Sequence, residues 1–182
     1  MMKYAVTAAT GRFGRVAVEQ LVDLVGKDQV VAIVRDVAKG QELLPTGIEI
    51  RQGDYADQAG MTSALVGIDR LLFISSQPGG AVSRETQHLN VVAAAKEAGV
   101  SLVAYTSYPK AGQAKAPLAH DHQVTEAAIK EAGLAHAFLR DNWYLENDAS
   151  FLTAGKEGQA AIYWTTGKAA WAPEALYRHR RR

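Results

Sequence analysis

The chain of 182 residues contains no cysteine. That excludes disulfides, thiolate metal ligation, thiol redox chemistry and a cysteine nucleophile. Strong charge of either sign is also missing. The formal net charge is +1, so no field draws the protein to nucleic acid or to a membrane surface. No apolar run approaches the roughly 20 residues of a membrane-spanning helix. Residue Met1 leads directly into a strand-like run, without the basic, apolar and small-residue regions of a secretory leader. A cytoplasmic protein is therefore expected. Two catalytic signatures are absent as well. No tyrosine is followed four residues later by lysine, the acid–base dyad of common short-chain reductases. No Gly-Lys-Ser/Thr follows the first glycine run, so a nucleotide-hydrolysing phosphate loop is not indicated. His120 and His122 lack a third ligand of clear spacing, so no metal site is assigned.

What is present is an alternation of short apolar runs and amphipathic segments. Hydrophobic residues make up 48% of the chain, enough for one globular core. Strands are expected at Tyr4–Thr7, Val30–Arg35, Ile48–Gln52, Leu71–Ser75, Leu102–Thr106 and Ala137–Arg140. Helices are expected at Arg15–Val25, Val37–Leu44, Asp57–Leu65, Thr86–Ala98 and Asp121–Ala132. Gly26, Gly67, Gly99 and Gly133 each follow an apolar-periodic segment, where a helix commonly ends in a left-handed residue. Continuous apolar strands alternating with helices imply an α/β fold, a doubly wound parallel sheet.

In such a sheet ligands sit beyond the carboxyl ends of the strands. The first of these ends is Thr7-Ala8-Ala9-Thr10-Gly11-Arg12-Phe13-Gly14. A strand, a small-residue loop and a helix in that order present helix N–H groups to an anion, commonly a phosphate. The second strand ends in Arg35, with Lys39 four residues on. Arginine at this place favours the 2′-phosphate of NADP over a bare ribose, although Asp36 next to it offers a carboxylate to a ribose as well. Asp54 and Tyr55 follow the third strand, where a carboxylate and a ring suit the adenine amino group and its face. Ser75, Ser76 and Gln77 end the fourth strand, on the nicotinamide side. Tyr105, Thr106 and Ser107 end the fifth. For proton transfer the candidates are Tyr108, His122 and Tyr144, with His120 a weaker alternative, and Asn142 next to Trp143 and Tyr144 is a further catalytic candidate. The basic tail Arg178–Arg182 reads as a solvated terminus.

The run Thr7–Gly14 resembles the Thr-Gly-Ala-Thr-Gly-x-x-Gly loop of atypical short-chain dehydrogenases, with Ala8 standing where that pattern has its first glycine. Val31-Ala-Ile-Val-Arg35, Gly53-Asp-Tyr55, Leu72-Phe-Ile-Ser-Ser76, Ala104-Tyr-Thr-Ser107 and Leu139-Arg-Asp-Asn-Trp-Tyr-Leu-Glu-Asn147 resemble the NmrA-like branch. Within it the chain is similar to the bacterial NADPH:quinone oxidoreductases of type 2. The resemblance implies an NAD(P)-binding Rossmann fold, NADP as cofactor held by the Gly11 loop and Arg35, and a small quinone-like substrate as hydride acceptor. It places Trp143 and Tyr144 near that substrate. It further implies a Rossmann domain over residues 1–158, with 159–182 the truncated start of a C-terminal substrate-binding part. An apolar face at Trp164 and Trp171 would then be open to a homodimer contact. A second reading stays open: NmrA-like proteins also include regulators that sense NADP without turnover.

Overall fold

The structure is a computed structural model, and it describes residues 1–141. Strands are β1 (Tyr4–Val6), β2 (Val30–Val34), β3 (Glu49–Gln52), β4 (Arg70–Phe73), β5 (Leu102–Ser107) and β6 (Ala135–Arg140). The connecting helices are α1 (Arg12–Val25), α2 (Val37–Leu43), α3 (Gln58–Leu65), α4 (Arg84–Glu97) and α5 (Pro117–Glu131). All strands run parallel in one six-stranded sheet of order β3-β2-β1-β4-β5-β6. This is the Rossmann order, with the chain reversing direction across the sheet between β1 and β4. Ala5 lies in register with Val31 on one side and Leu71 on the other.

Alternate residues of β1, β2 and β4 feed two separate apolar layers, as a period of two requires. On one face Ala5, Val31, Ile33, Leu71, Phe73 and Val103 pack with Met61, Leu65, Val91, Val92, Ala95 and Ile129 of α3, α4 and α5. On the other, Val6, Val30, Ala32 and Val34 pack with Val18 and Leu44 from the α1 and α2 side. Every residue of β2 is buried, which explains its unbroken apolar run. The helices stop where the left-handed glycines stand: Gly26, Gly67, Gly99 and Gly133 have φ between 74° and 88°.

Several helices begin earlier than apolar periodicity suggests. α1 starts at Arg12 rather than Arg15, α4 at Arg84 rather than Thr86, and α5 at Pro117 rather than Asp121. The first turn of α4 is polar and carries no apolar stripe to read, and the first turns of α1 and α5 contain Gly14 and Pro117, which interrupt the helical pattern. Proline suits the first helical position of α5, because its missing N–H would find no helical partner there. His120 and His122 consequently sit inside α5, not at its start. They face opposite ways, His120 into solvent and His122 into the interior, as two residues apart on a helix must.

Candidate functional site

The loop after β1 is built by backbone. Gly11 N–H donates to the Ala8 carbonyl at 2.9 Å, and Ala9 N–H donates to Ile33 O at 3.3 Å, tying the loop to β2. Gly14 has no room for a side chain. A Cβ there would overlap the Ala8 carbonyl oxygen and lie 2.8 Å from Ala9 Cα. This close approach seats the first turn of α1 directly on the loop. Ala8 itself has φ of 48°, a left-handed conformation that favours glycine. The α1 N-terminus has no side-chain cap. By contrast, α2, α3 and α4 are capped by Asp36, Asp57 and Ser83, each accepting from a backbone N–H of the first turn. Thr10 is half-buried, Gly11 and Arg12 are exposed and Phe13 is half-buried around this N-terminus.

Arg35 and Lys39 are both exposed at the end of β2. Gln52 Nε2 donates to the Arg35 carbonyl at 3.2 Å and steadies its backbone. Asp36 is spent on capping α2, its Oδ1 accepting from Lys39 N–H at 3.1 Å. Arg35 and Lys39 are the cations presented at this strand end, which suits a phosphate better than a ribose hydroxyl.

Tyr55 corrects the expectation of a ring that covers adenine. It is only 8% exposed. Its hydroxyl donates to Ile74 O at 2.7 Å and meets Thr7 Oγ1 at 2.5 Å. Its ring packs edge-on against Phe73, centroids 5.5 Å apart. Burial raises its pKa well above the usual phenol value. Thr7, fully buried, also accepts from Ile74 N–H at 3.0 Å. Tyr55 and Thr7 thus knot the ends of β1 and β4 together at the point where the sheet order reverses. Asp54, exposed beside them, turns its Oδ1 to its own loop, accepting from Ala56 N–H at 2.9 Å.

At the ends of β4 and β5 the polar residues are held by side chains. Ser75 N–H donates to Thr106 Oγ1 at 2.8 Å. Ser107 Oγ donates to Glu126 Oε1 at 2.6 Å, and Arg140 grips the same carboxylate through Nε at 2.9 Å and Nη2 at 2.7 Å. Those bonds hold Glu126 below the usual carboxylate range even though burial pushes the other way. Gln77 is exposed, and Ser75 and Ser76 are half-buried.

Tyr105 and His122 are also corrected. Tyr105 is fully buried, so its ring lies under the site rather than in it. Its hydroxyl faces His122 Nδ1 at 2.8 Å. His122 Nε2 lies 3.0 Å from Arg84 Nη2. A guanidinium only donates, so this imidazole nitrogen must accept, and the ring proton sits on Nδ1 and is given to Tyr105. Burial first, then the Arg84 cation, pushes the His122 pKa down to about 4. A neutral ring engaged at both nitrogens is a poor proton donor at neutral pH. Tyr108 is half-buried, its ring centroid 5.9 Å from that of His122. Asn142, Trp143, Tyr144, Trp164 and Trp171, and the 158/159 domain boundary, lie outside the described residues.

Periodicity alone missed Arg84, His88 and Thr125. The readable sign was a polar pair, Arg84 and His88, four apart on the same stripe as Val91, Val92 and Ala95. Among the described residues no group of three or more histidines and carboxylates gathers to hold a metal ion, and no helix is long and apolar enough to cross a membrane.

Comparison with known proteins agrees with this arrangement. Quinone oxidoreductase 2 of Escherichia coli (strain K12) is 46% identical over 174 residues, covering 95% of this chain and 60% of that protein. An NmrA-like family domain-containing oxidoreductase of Aspergillus flavus is 30% identical over 175 residues, 88% of this chain and 57% of its own length. Of solved structures, the NADPH complex of the E. coli NADPH-dependent quinone oxidoreductase matches with a TM-score of 0.77 and 45% identity over 85% of this chain and 54% of that one. Citrobacter sp. triphenylmethane reductase complexed with NADP(H) matches with a TM-score of 0.81 and 39% identity, over 86% and 55%. The chain therefore spans little more than half the length of these relatives. Residues 8–168 match the NAD(P)H-binding family. With its parallel sheet in Rossmann order and its glycine turn against α1, the chain belongs to that NAD(P)H-binding family.

Proposed function

We propose that this chain carries the dinucleotide-binding part of an NADPH-dependent oxidoreductase that passes hydride to a quinone. The observation that carries the reading is the Gly14 turn. Backbone packs against backbone there, and the uncapped N-terminus of α1 opens at the β1/β4 reversal, where dinucleotides bind in this fold. The Thr7–Gly14 loop would hold the pyrophosphate. Arg35, assisted by Lys39 and Arg12, would hold the 2′-phosphate. The ends of β4 and β5, Ser75 to Gln77 and Thr106 to Ser107, would line the nicotinamide side. When bound, NADPH supplies a hydride that reduces a quinone, which takes its proton from solvent to become a hydroquinone. This chemistry asks little acid–base help of the protein, and that fits the absence of a Tyr/Lys dyad and the engaged state of His122. The quinone itself is suggested by the likeness to the E. coli enzyme. The relatives are named as oxidoreductases and reductases, which does not favour a purely sensing role.

The test has two stages on the purified chain. Thermal stabilisation is compared for NADPH and NADH, with the larger shift expected for NADPH. Absorbance at the NADPH band is then followed with a benzoquinone present. NADPH binding without any loss of absorbance overturns the enzyme reading; no stabilisation by either nucleotide overturns the cofactor reading too.

A further inference from the structure

Helix α4 turns one stripe inward: Arg84, His88, Val91, Val92 and Ala95, all buried. The chemistry of that stripe changes along its length. Its C-terminal half is apolar and joins the core under Leu71, Phe73 and Val103. Its N-terminal half, at the carboxyl ends of the strands, is a guanidinium and an imidazole. Burying such groups costs more than burying aliphatic ones of similar size, so stability alone gives no reason for them.

Both side chains reach one target. Arg84 Nε–H donates to the Ser76 carbonyl at 2.6 Å, and Ser76 N–H donates to His88 Nε2 at 3.0 Å. The β4 ladder ends at Phe73, and the two side chains bind both polar backbone groups of Ser76. Behind them stands a second tier. Arg84 Nη1 pairs with Asp121 Oδ2 at 3.1 Å, and Nη2 donates to His122 Nε2. His88 Nδ1 lies 2.8 Å from Thr125 Oγ1, which donates to the Asp121 carbonyl at 2.6 Å. A backbone N–H can only donate, so His88 Nε2 accepts and the ring proton on Nδ1 goes to Thr125. Every polar edge of the clamp is engaged, and its orientation is set from α5.

We propose that Arg84 and His88 are positioning residues which, through the Ser76 backbone, set the floor on which the second mononucleotide of the cofactor rests. The inference rests on the dinucleotide reading above. In a sheet made of two mononucleotide halves, the glycine loop and Arg35 belong to β1–β3, and the other half falls to β4–β6. His88 is fully buried and Arg84 only 8% exposed, so both act through Ser76 and not by contact.

Calorimetric binding of two probes to the full chain tests this: NADPH, and adenosine 2′,5′-bisphosphate, which lacks the nicotinamide half. His88→Asn keeps a donor toward Thr125 but is too short to accept from Ser76. His88→Gln places an oxygen where Nε2 stands. His88→Asn is expected to weaken NADPH by about tenfold and the bisphosphate by less than about twofold, the cost of one part-buried N–H left without its partner falling on one half of the site. His88→Gln restores most of the NADPH affinity. Arg84→Lys, which keeps the charge but loses the fork, shifts NADPH selectively in the same direction. Equal weakening of both probes, or none, in folded His88→Asn and Arg84→Lys overturns the proposal and leaves the clamp a packing feature. Wild-type chain that binds neither probe overturns the dinucleotide reading itself. Circular dichroism checks folding, and if His88→Asn fails to fold, Arg84→Lys decides: parallel loss of both probes, or no loss, overturns the clamp.

Discussion

The two halves of the sheet prepare their strand ends by different means. In the β1–β3 half the strand end is shaped by backbone, through Gly11, Gly14 and a left-handed Ala8, with exposed Arg35 and Lys39 at the rim. In the β4–β6 half the strand ends are held from below by a buried network of Arg84, His88, Tyr105, His122, Thr125 and Glu126. Backbone geometry suits an anion, since N–H groups cannot be titrated or rotated away. A buried side-chain network instead fixes the shape of a surface. Its energy depends on every partner being present, because an orphaned member pays its full desolvation cost.

This contrast is open to breaking in four ways. The largest effect is expected in the first half. Gly14→Ala forces a methyl into the Ala8 carbonyl and Ala9 Cα, and should cost about 3 kcal/mol and abolish stabilisation by NADPH. A denaturation curve overlying wild type would show that the loop yields. Next comes Arg35→Asp, which should weaken NADPH by about 1.5–3 kcal/mol and leave NADH nearly unchanged. Equal losses measured by calorimetry would take the 2′-phosphate away from Arg35.

The third effect belongs to the second half alone. Burial, then the Arg84 cation, pushes His88 down to about 3 and His122 to about 4, from an ordinary 6.5. The unfolded chain therefore binds more protons than the folded one below that value. The histidine contribution is fully present above pH 6.5 and declines as the pH falls toward the folded values. The slope is about 1.4 kcal/mol per pH unit for each histidine. His88→Gln should roughly halve that slope in urea unfolding measured from neutral to acid pH; an unchanged slope would place the titration elsewhere. The smallest effect returns to the loop. Ala8→Gly relieves a φ of 48°. A gain of about 1 kcal/mol is expected, less the extra freedom glycine has in the unfolded chain. A lower melting temperature in this variant would mean that Ala8 carries no strain.

The same contrast explains how far the chain was legible. The centre of the sheet was readable because burial on both faces writes a continuous apolar run such as Val30–Val34, whereas the edge strands β3 and β6 are exposed or half-buried. Helix ends were readable because left-handed positions call for glycine. The glycine turn was readable for the same reason: a missing Cβ is visible as a letter. Tyr55 was misjudged because the letter is the same whether a tyrosine faces a ligand or knots Thr7 to Ile74. His122 was misjudged in a similar way. Its protonation depends on Arg84, 38 residues away in the chain, and no local pattern carries that distance.

By itself, then, the order of residues determined the alternation of strands and helices, the anion-ready loop and the basic end of β2. Each of these is a local matter of periodicity, backbone freedom or charge. Only the tertiary structure decided which polar side chains stay exposed at the strand ends and which are buried in bonds beneath them. Arg84 and His88 on α4 meet Asp121, His122 and Thr125 on α5 only once β4 and β5 have paired. Desolvation and hydrogen-bond satisfaction are properties of that meeting and not of any one segment.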